Sequence, residues 1–149
     1  MILITGASGF VGTNLSAYLK NHHHSIESLS LRGDRLSRLD SKVDAVIHLA
    51  GKAHDLENVS DESEYFKVNR DLTIELFNEF LKSEIKDFFF FSSVKAVADT
   101  ADEIVKEDIV PNPLTPYGKS KFEAEQYLLA QKLPAEKRLF IIRPCMIHG

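Results

Sequence analysis

The chain opens with MILITGASGFVG, Met1 to Gly12, an apolar run that stops at a glycine and then gives way to helical spacing. The continuation places Val11, Leu15, Tyr18 and Leu19 on one helix face, so the opening is expected to be strand, tight turn, helix. Gly6, Gly9 and Gly12 fall in the turn. At such a turn, backbone N–H groups and the positive end of a helix can receive a pyrophosphate, and only glycine lets the backbone come that close. The spacing is GxxGxxG rather than GxGxxG. A plain tight turn without ligand is the bland alternative.

Outward from this turn, strand and helix patterns alternate. SIESLSL (25–31) reads as a second strand, followed by a polar stretch from Arg32 to Lys42. VDAVIHLAG (43–51) is near-continuous and apolar, as suits a parallel strand covered on both faces. Glu62 to Lys82 reads as a long amphipathic helix carrying Phe66, Leu72, Leu76 and Phe80. It leads into DFFFFSSV (87–94), a buried strand ending in hydroxyls. A long polar loop from Ala96 precedes a helix from Pro116 to about Leu133, and RLFIIRP (138–144) is the last strand. This order argues for an α/β fold with a doubly wound parallel sheet and right-handed crossovers, whose ligands bind at the carboxyl ends of the strands. Gly6 to Gly12, Gly51 to His54, Ser92 with Ser93, and Arg143 to Gly149 all fall on that edge.

A length of 149 residues suits one domain, 1–149, with a full hydrophobic core. Net charge −4 offers no field for nucleic acid or an acidic membrane surface, and neither is expected as a partner. One cysteine, no long apolar run and no cleavable leader pattern point to a reducing cytoplasm. His22 to His24 are consecutive at a helix end and cannot all face one ion, so no metal site is expected. His48, inside a strand, reads as a satisfied core imidazole. Lys52 and His54 sit where they could meet a cofactor or substrate phosphate, or simply be solvated.

PYGKSK, Pro116 to Lys121, puts Tyr117 and Lys121 four apart on one helix face. Taken alone, the pair is as consistent with a solvated helix start as with an active site. Together with TGASGFVG (5–12), DAVIHLAG (44–51), Asn69, FSS (91–93) and Arg143–Pro144, it makes the chain resemble the extended short-chain dehydrogenase/reductase family. The resemblance is to its NAD-dependent epimerase/dehydratase branch acting on nucleotide sugars, which has a Rossmann fold. It implies that Tyr117 is the acid/base, that Lys121 binds the nicotinamide ribose and lowers the tyrosine pKa, and that a serine bonds the substrate hydroxyl. Counting back three from Ala96 selects Ser93, with Ser92 as the fallback. It further implies NAD or NADP contacts from Gly6, Ser8, Gly9, Phe10, Val11 and Gly12, from Leu49, Ala50, Gly51 and Lys52, and from Asn69, Tyr117, Lys121 and Pro144.

The chain departs from that pattern in three places. At the end of the second strand the usual acidic residue is replaced by Ser30, with Arg32 and Arg35 nearby. Those arginines could pair with a 2′-phosphate, which makes NADP as reasonable as NAD, or be solvated. Only 12 residues separate Leu31 from Asp44, too few for the usual third strand and its helix, so that strand is expected to be short or missing. The chain ends at Gly149, where the family continues into a C-terminal substrate domain. It is therefore expected to be an N-terminal fragment lacking that domain, with Met146 and His148 at positions where relatives carry asparagine and tyrosine. The expected activity is that of a nucleotide-sugar epimerase, dehydratase or C4 reductase acting on a UDP-sugar, with a homodimer of the full-length protein as a further partner expectation. The alternative class is a non-catalytic dinucleotide sensor, whose relatives commonly lose the Tyr and Lys pair.

Overall fold

The computed structural model describes residues 1–31, 39, 42–52, 61–99, 106, 108–145 and 147. Five parallel strands form one sheet: β1 (Ile2–Thr5), β2 (Ile26–Leu29), β3 (Ala45–His48), β4 (Asp87–Phe91) and β5 (Arg138–Ile142). The order is β2-β1-β3-β4-β5. From β1 the chain goes outward to β2 through α1 (Phe10–Asn21), then returns across β1 to β3. The winding direction therefore reverses between β1 and β3, the position at which open α/β sheets bind ligands. Among the described residues no strand lies beyond β2; most of the segment between Leu31 and Asp44, where the third strand is expected to be short or missing, lies outside the described residues.

The helix expected over 62–82 is present but is not uniform. It consists of α2 (Glu62–Tyr65), a π-helical stretch (Phe66–Asp71) and α3 (Leu72–Lys82). Asn69, fully buried, sits inside the π stretch, a kind of local widening that recurs at functional positions. α4 (Pro116–Ala130) starts with proline in its first turn and a Thr115 hydroxyl that accepts from the Gly118 N–H at 3.1 Å. It ends three residues before the expected Leu133. Pro134 bars Leu133 from helical geometry, and Gln131 is already extended.

One face of the sheet carries the core. Leu3, Val46, Phe88 and Phe90 pack against Leu76, Phe77 and Phe80 of α3 and Ala124 and Leu128 of α4. Phe77, Phe80 and Phe88 meet one another with ring centroids 5.0 to 5.5 Å apart. Such rings contribute about 1.5 to 3 kcal/mol each through burial. The expectation of a buried strand over 87–94 is corrected: β4 is buried on one face only, and its neighbour β5 likewise alternates. On the second face Phe89 and Phe140 stack at 4.5 Å while Phe140 stays exposed. At the opposite end from the ligand edge, the Lys137 ammonium donates to the carbonyls of Phe80, Ser83 and Ile85 at 2.7 to 2.9 Å. A cation there satisfies the orphan carbonyls at the C-terminus of α3 and ties that helix to the start of β5.

Candidate active site

Gly6 connects β1 to the turn with a φ of +70°, a conformation that side chains disfavour, and a Cβ on it would lie 2.6 Å from the Ala50 backbone nitrogen. Gly12 is excluded from substitution by space instead: its Cβ would sit 2.2 Å from the Gly6 carbonyl oxygen. The turn closes with a bond from the Gly9 N–H to the Gly6 oxygen at 3.0 Å. α1 then starts at Phe10 with no side-chain cap and no acidic residue in its first turn. By contrast, the starts of α2 and α4 are capped by Asp61 and Thr115. The positive end of α1 is thus left unneutralised at the sheet's switch point, the requirement for holding a phosphate group.

Beside this turn, the carboxyl ends of β3, β4 and β5 border a cleft of about 260 Å³. It is lined by Val11, Leu49, Gly51, Lys52, Phe91, Ser92, Ser93, Tyr117, Lys121, Pro144, Cys145 and Ile147. Ser93 lies near the Tyr117 hydroxyl, where it opposes the rise of the phenol pKa, and the Ser93 oxygen accepts from the Lys95 N–H at 3.2 Å. Tyr65 meets the Tyr117 ring edge-on at 6.3 Å. Lys52 closes the rim, paired with Glu64 at 2.8 Å and lying 5.5 Å over the Tyr65 ring. Ser92 is buried, and its hydroxyl has no partner among the described residues, which is unusual for a buried polar group.

Lys121 is nearly inaccessible. Its ammonium donates to the Phe91 carbonyl at 3.0 Å and lies 5.0 Å from the Phe90 ring. Burial brings its pKa down to about 8, with the Glu125 carboxylate opposing the fall. Glu125, one turn further along α4 and also buried, is held by a two-pronged pair with Arg143 at the end of β5, the shortest contact being 2.6 Å. The lowered tyrosine pKa expected from Lys121 is corrected here. Burial raises the Tyr117 pKa above the ordinary tyrosine value, and Ser93 works in the opposite direction. The lysine's charge is directed at a backbone carbonyl rather than at the phenol oxygen.

Of the residues singled out in the sequence, Val11, Leu49, Gly51, Lys52, Ser92, Ser93, Tyr117, Lys121 and Pro144 line this one cleft. Gly6, Ser8, Gly9, Phe10 and Gly12 form the adjoining turn and helix start, and Ala50 lies in the 49–52 turn. Asn69 lies beneath the cleft, where its amide accepts from the Lys52 N–H at 2.8 Å and donates to the Lys52 carbonyl and the Ser120 hydroxyl. Ser30 stands apart, at the exposed end of β2. Arg32, Arg35, His54, Met146 and His148 lie outside the described residues. His22 to His24 are exposed at the end of α1, where His22 stacks on Tyr18 at 4.1 Å. Sequence reasoning missed Phe91, Cys145 and Ile147 as cleft walls, and the Glu125–Arg143 pair behind Lys121. Glu125 carried a usable signal: it follows Lys121 by four residues on the same helix face.

Comparison with known proteins agrees with this geometry. The model of the NAD dependent epimerase/dehydratase family matches residues 2–149. N-acetyl-alpha-D-glucosaminyl-diphospho-ditrans,octacis-undecaprenol 4-epimerase of Escherichia coli O157:H7 is 33% identical, over 99% of this chain and 49% of that protein. The UDP-glucuronic acid 4-epimerase of Bacillus cereus in complex with NAD superposes with a TM-score of 0.82 at 25% identity, covering 99% of this chain and 57% of that one. RMD from Pseudomonas aeruginosa, complexed with NADPH, superposes with a TM-score of 0.75 at 29% identity, covering 97% of this chain and 53% of that one. The chain thus spans about half the length of the relatives it matches. With a family match over almost every residue and the same fold, the chain belongs to the NAD dependent epimerase/dehydratase family.

Proposed function

We propose that this chain is the dinucleotide-binding half of an NAD- or NADP-dependent enzyme acting on a nucleotide sugar. In this reading a hydride moves at a sugar carbon, C4 of a UDP-hexose or UDP-N-acetylhexosamine, while Tyr117 handles the hydroxyl proton. The observation that carries it is that Ser93, Tyr117 and Lys121 share one cleft beside an uncapped, glycine-lined helix start. The residues present fit a dinucleotide. Gly6 lets the turn pack against the 49–50 backbone, Gly12 lets α1 pack against the turn, and the start of α1 is left uncapped, open to a pyrophosphate. The orphaned Ser92 hydroxyl marks an unused hydrogen-bonding group at the cleft.

In this assignment, Gly6, Ser8, Gly9, Phe10, Val11 and Gly12 hold the phosphates, Leu49 to Lys52 with Asn69 and Pro144 form the walls, and Lys121 meets the nicotinamide ribose. The bound nicotinamide supplies the hydride acceptor and donor. Ser93, which lines the same cleft beside Tyr117, orients the substrate hydroxyl toward the Tyr117 oxygen. With its pKa raised, the phenol is protonated at neutral pH and ready to donate. Taking a proton instead requires a cation beside the ring. Lys121, with a pKa of about 8, is still largely charged at pH 7 and lies on the same helix face. Most contacts to the sugar come from residues outside this chain, consistent with its spanning half the length of its relatives. The test is hydrogen isotope exchange at C4 of a panel of UDP-sugars with both cofactors, in the longer polypeptide inferred here. Tyr117→Phe is expected to abolish exchange and leave cofactor affinity unchanged. Retained exchange removes Tyr117 from the role.

A further inference from the structure

We propose that His48 is a positioning residue: a neutral imidazole protonated on Nε2 that ties Thr5 to Thr73 and thereby fixes the 49–52 turn forming one wall of the cleft. The significance of that wall rests on the dinucleotide reading above; the hydrogen-bond argument does not.

His48, Thr5 and Thr73 are all fully buried, with Phe90 stacked beside the imidazole at 5.7 Å. Polar groups in such surroundings need every donor and acceptor matched. The matching has one solution. The Asn69 carbonyl can only accept, so the Thr73 hydroxyl, 2.8 Å away, donates to it. Thr73 must then accept from His48 Nε2, also at 2.8 Å, which places the imidazole proton on Nε2. His48 Nδ1 is left bare and accepts from the Thr5 hydroxyl at 2.6 Å. The Thr5 oxygen in turn accepts from the Ala50 N–H at 3.2 Å, while its backbone carbonyl accepts from the Leu49 N–H at 3.2 Å.

The chain of bonds therefore holds the near side of the turn through Thr5. Its other end meets Asn69, whose side chain holds the far side through both the Lys52 N–H and the Lys52 carbonyl. Asn69 also donates to Ser120 at 3.1 Å, and Ser120 donates to the Tyr117 carbonyl at 2.8 Å. One directional network thus joins the end of β1, the 49–52 turn, the π stretch and the first turn of α4. A buried histidine that only filled space would not require its two nitrogens to face two hydroxyls.

The test uses the 149-residue chain. Long-range proton–nitrogen correlation at neutral pH is expected to show His48 as the Nε2–H tautomer; the Nδ1–H tautomer overturns the proposal. Thr5→Val, which removes the hydroxyl at nearly constant volume, is expected to speed amide exchange of Ala50 at least tenfold, and Thr5→Ser to restore it. Phe80→Leu, a core change outside the network, serves as the control and is expected to leave Ala50 exchange, corrected for global stability, unchanged. Equal acceleration in Thr5→Val and Phe80→Leu, or no rescue by Thr5→Ser, overturns the positioning role. Titration with NAD reads the functional half: a dissociation constant raised about fivefold in Thr5→Val and recovered in Thr5→Ser is expected, and an unchanged constant overturns the claim that the turn matters to the site. Absence of NAD binding in the unsubstituted chain counts against the dinucleotide reading alone, because the tautomer and exchange rates still decide whether His48 positions the turn.

Discussion

Lys121 should weaken the fold that contains it. Its pKa stands at about 8 against an ordinary lysine value of 10.5, and each pH unit of such a difference corresponds to about 1.4 kcal/mol. The folded state disfavours the charged form, so the contribution is neutral above pH 10.5, worsens as the pH falls to 8, and is constant below that. At pH 7 the penalty is about 3 kcal/mol. Replacing the lysine with methionine keeps the length and removes the charge, while losing the bond to the Phe91 carbonyl, worth about 1 kcal/mol. Lys121→Met is therefore expected to stabilise the chain by about 2 kcal/mol at pH 7, with Glu125 still held by Arg143. Urea denaturation at pH 7, 8, 9 and 9.5 measures this. Between pH 8 and 9.5 the unsubstituted chain should gain about 2 kcal/mol relative to the variant. A less stable variant, or parallel pH profiles, would refute the reasoning. The predicted outcome is what a residue retained for chemistry rather than for stability should show.

Three further outcomes are expected. His48, whose pKa burial and the Lys121 charge bring down to about 3, should make the fold sensitive to mild acid: stability is fully present above pH 6.5 and falls by about 3 kcal/mol between pH 6.5 and 4.5, a slope that His48→Gln should flatten in denaturant titrations. Gly12→Ala must push Ala7 and the Gly6 carbonyl away from α1, so melting experiments should show a loss of about 1 to 3 kcal/mol, and calorimetry a loss of NAD affinity. Lys137→Met leaves three carbonyls without their cation, and chemical denaturation should report a loss of about 2 to 3 kcal/mol with NAD affinity unaffected.

What the sequence revealed and what it withheld separate by the range of the interaction. The glycine turn, the apolar runs and the spacing of Tyr117 and Lys121 are local signals, and they led to the strand–helix order and to the cleft. Counting back from Ala96 singled out Ser93 with Ser92 as the fallback, and both line the cleft. The state of Tyr117 was not legible, because burial raises its pKa and that burial is built by packing from separate elements. The Glu125–Arg143 pair joins α4 to the end of β5, and the Lys137 cation reaches three carbonyls more than fifty residues earlier. His48 could be recognised as buried from its strand, but the hydroxyls that fix its tautomer come from β1 and α3.

The central claim, that the cleft and its glycine turn bind a nicotinamide dinucleotide, is tested most directly by following backbone amide resonances of the 149-residue chain during titration with NAD and NADP. Saturable shifts are expected at Gly6 to Gly12, Leu49 to Lys52, Ser92 and Ser93, and Tyr117 to Lys121, with a dissociation constant on the order of 0.1 mM or weaker, about 5 kcal/mol of binding. No saturable shift at these positions, or shifts confined to the groove between α1 and β2 around Ser16 and Lys20, would contradict it.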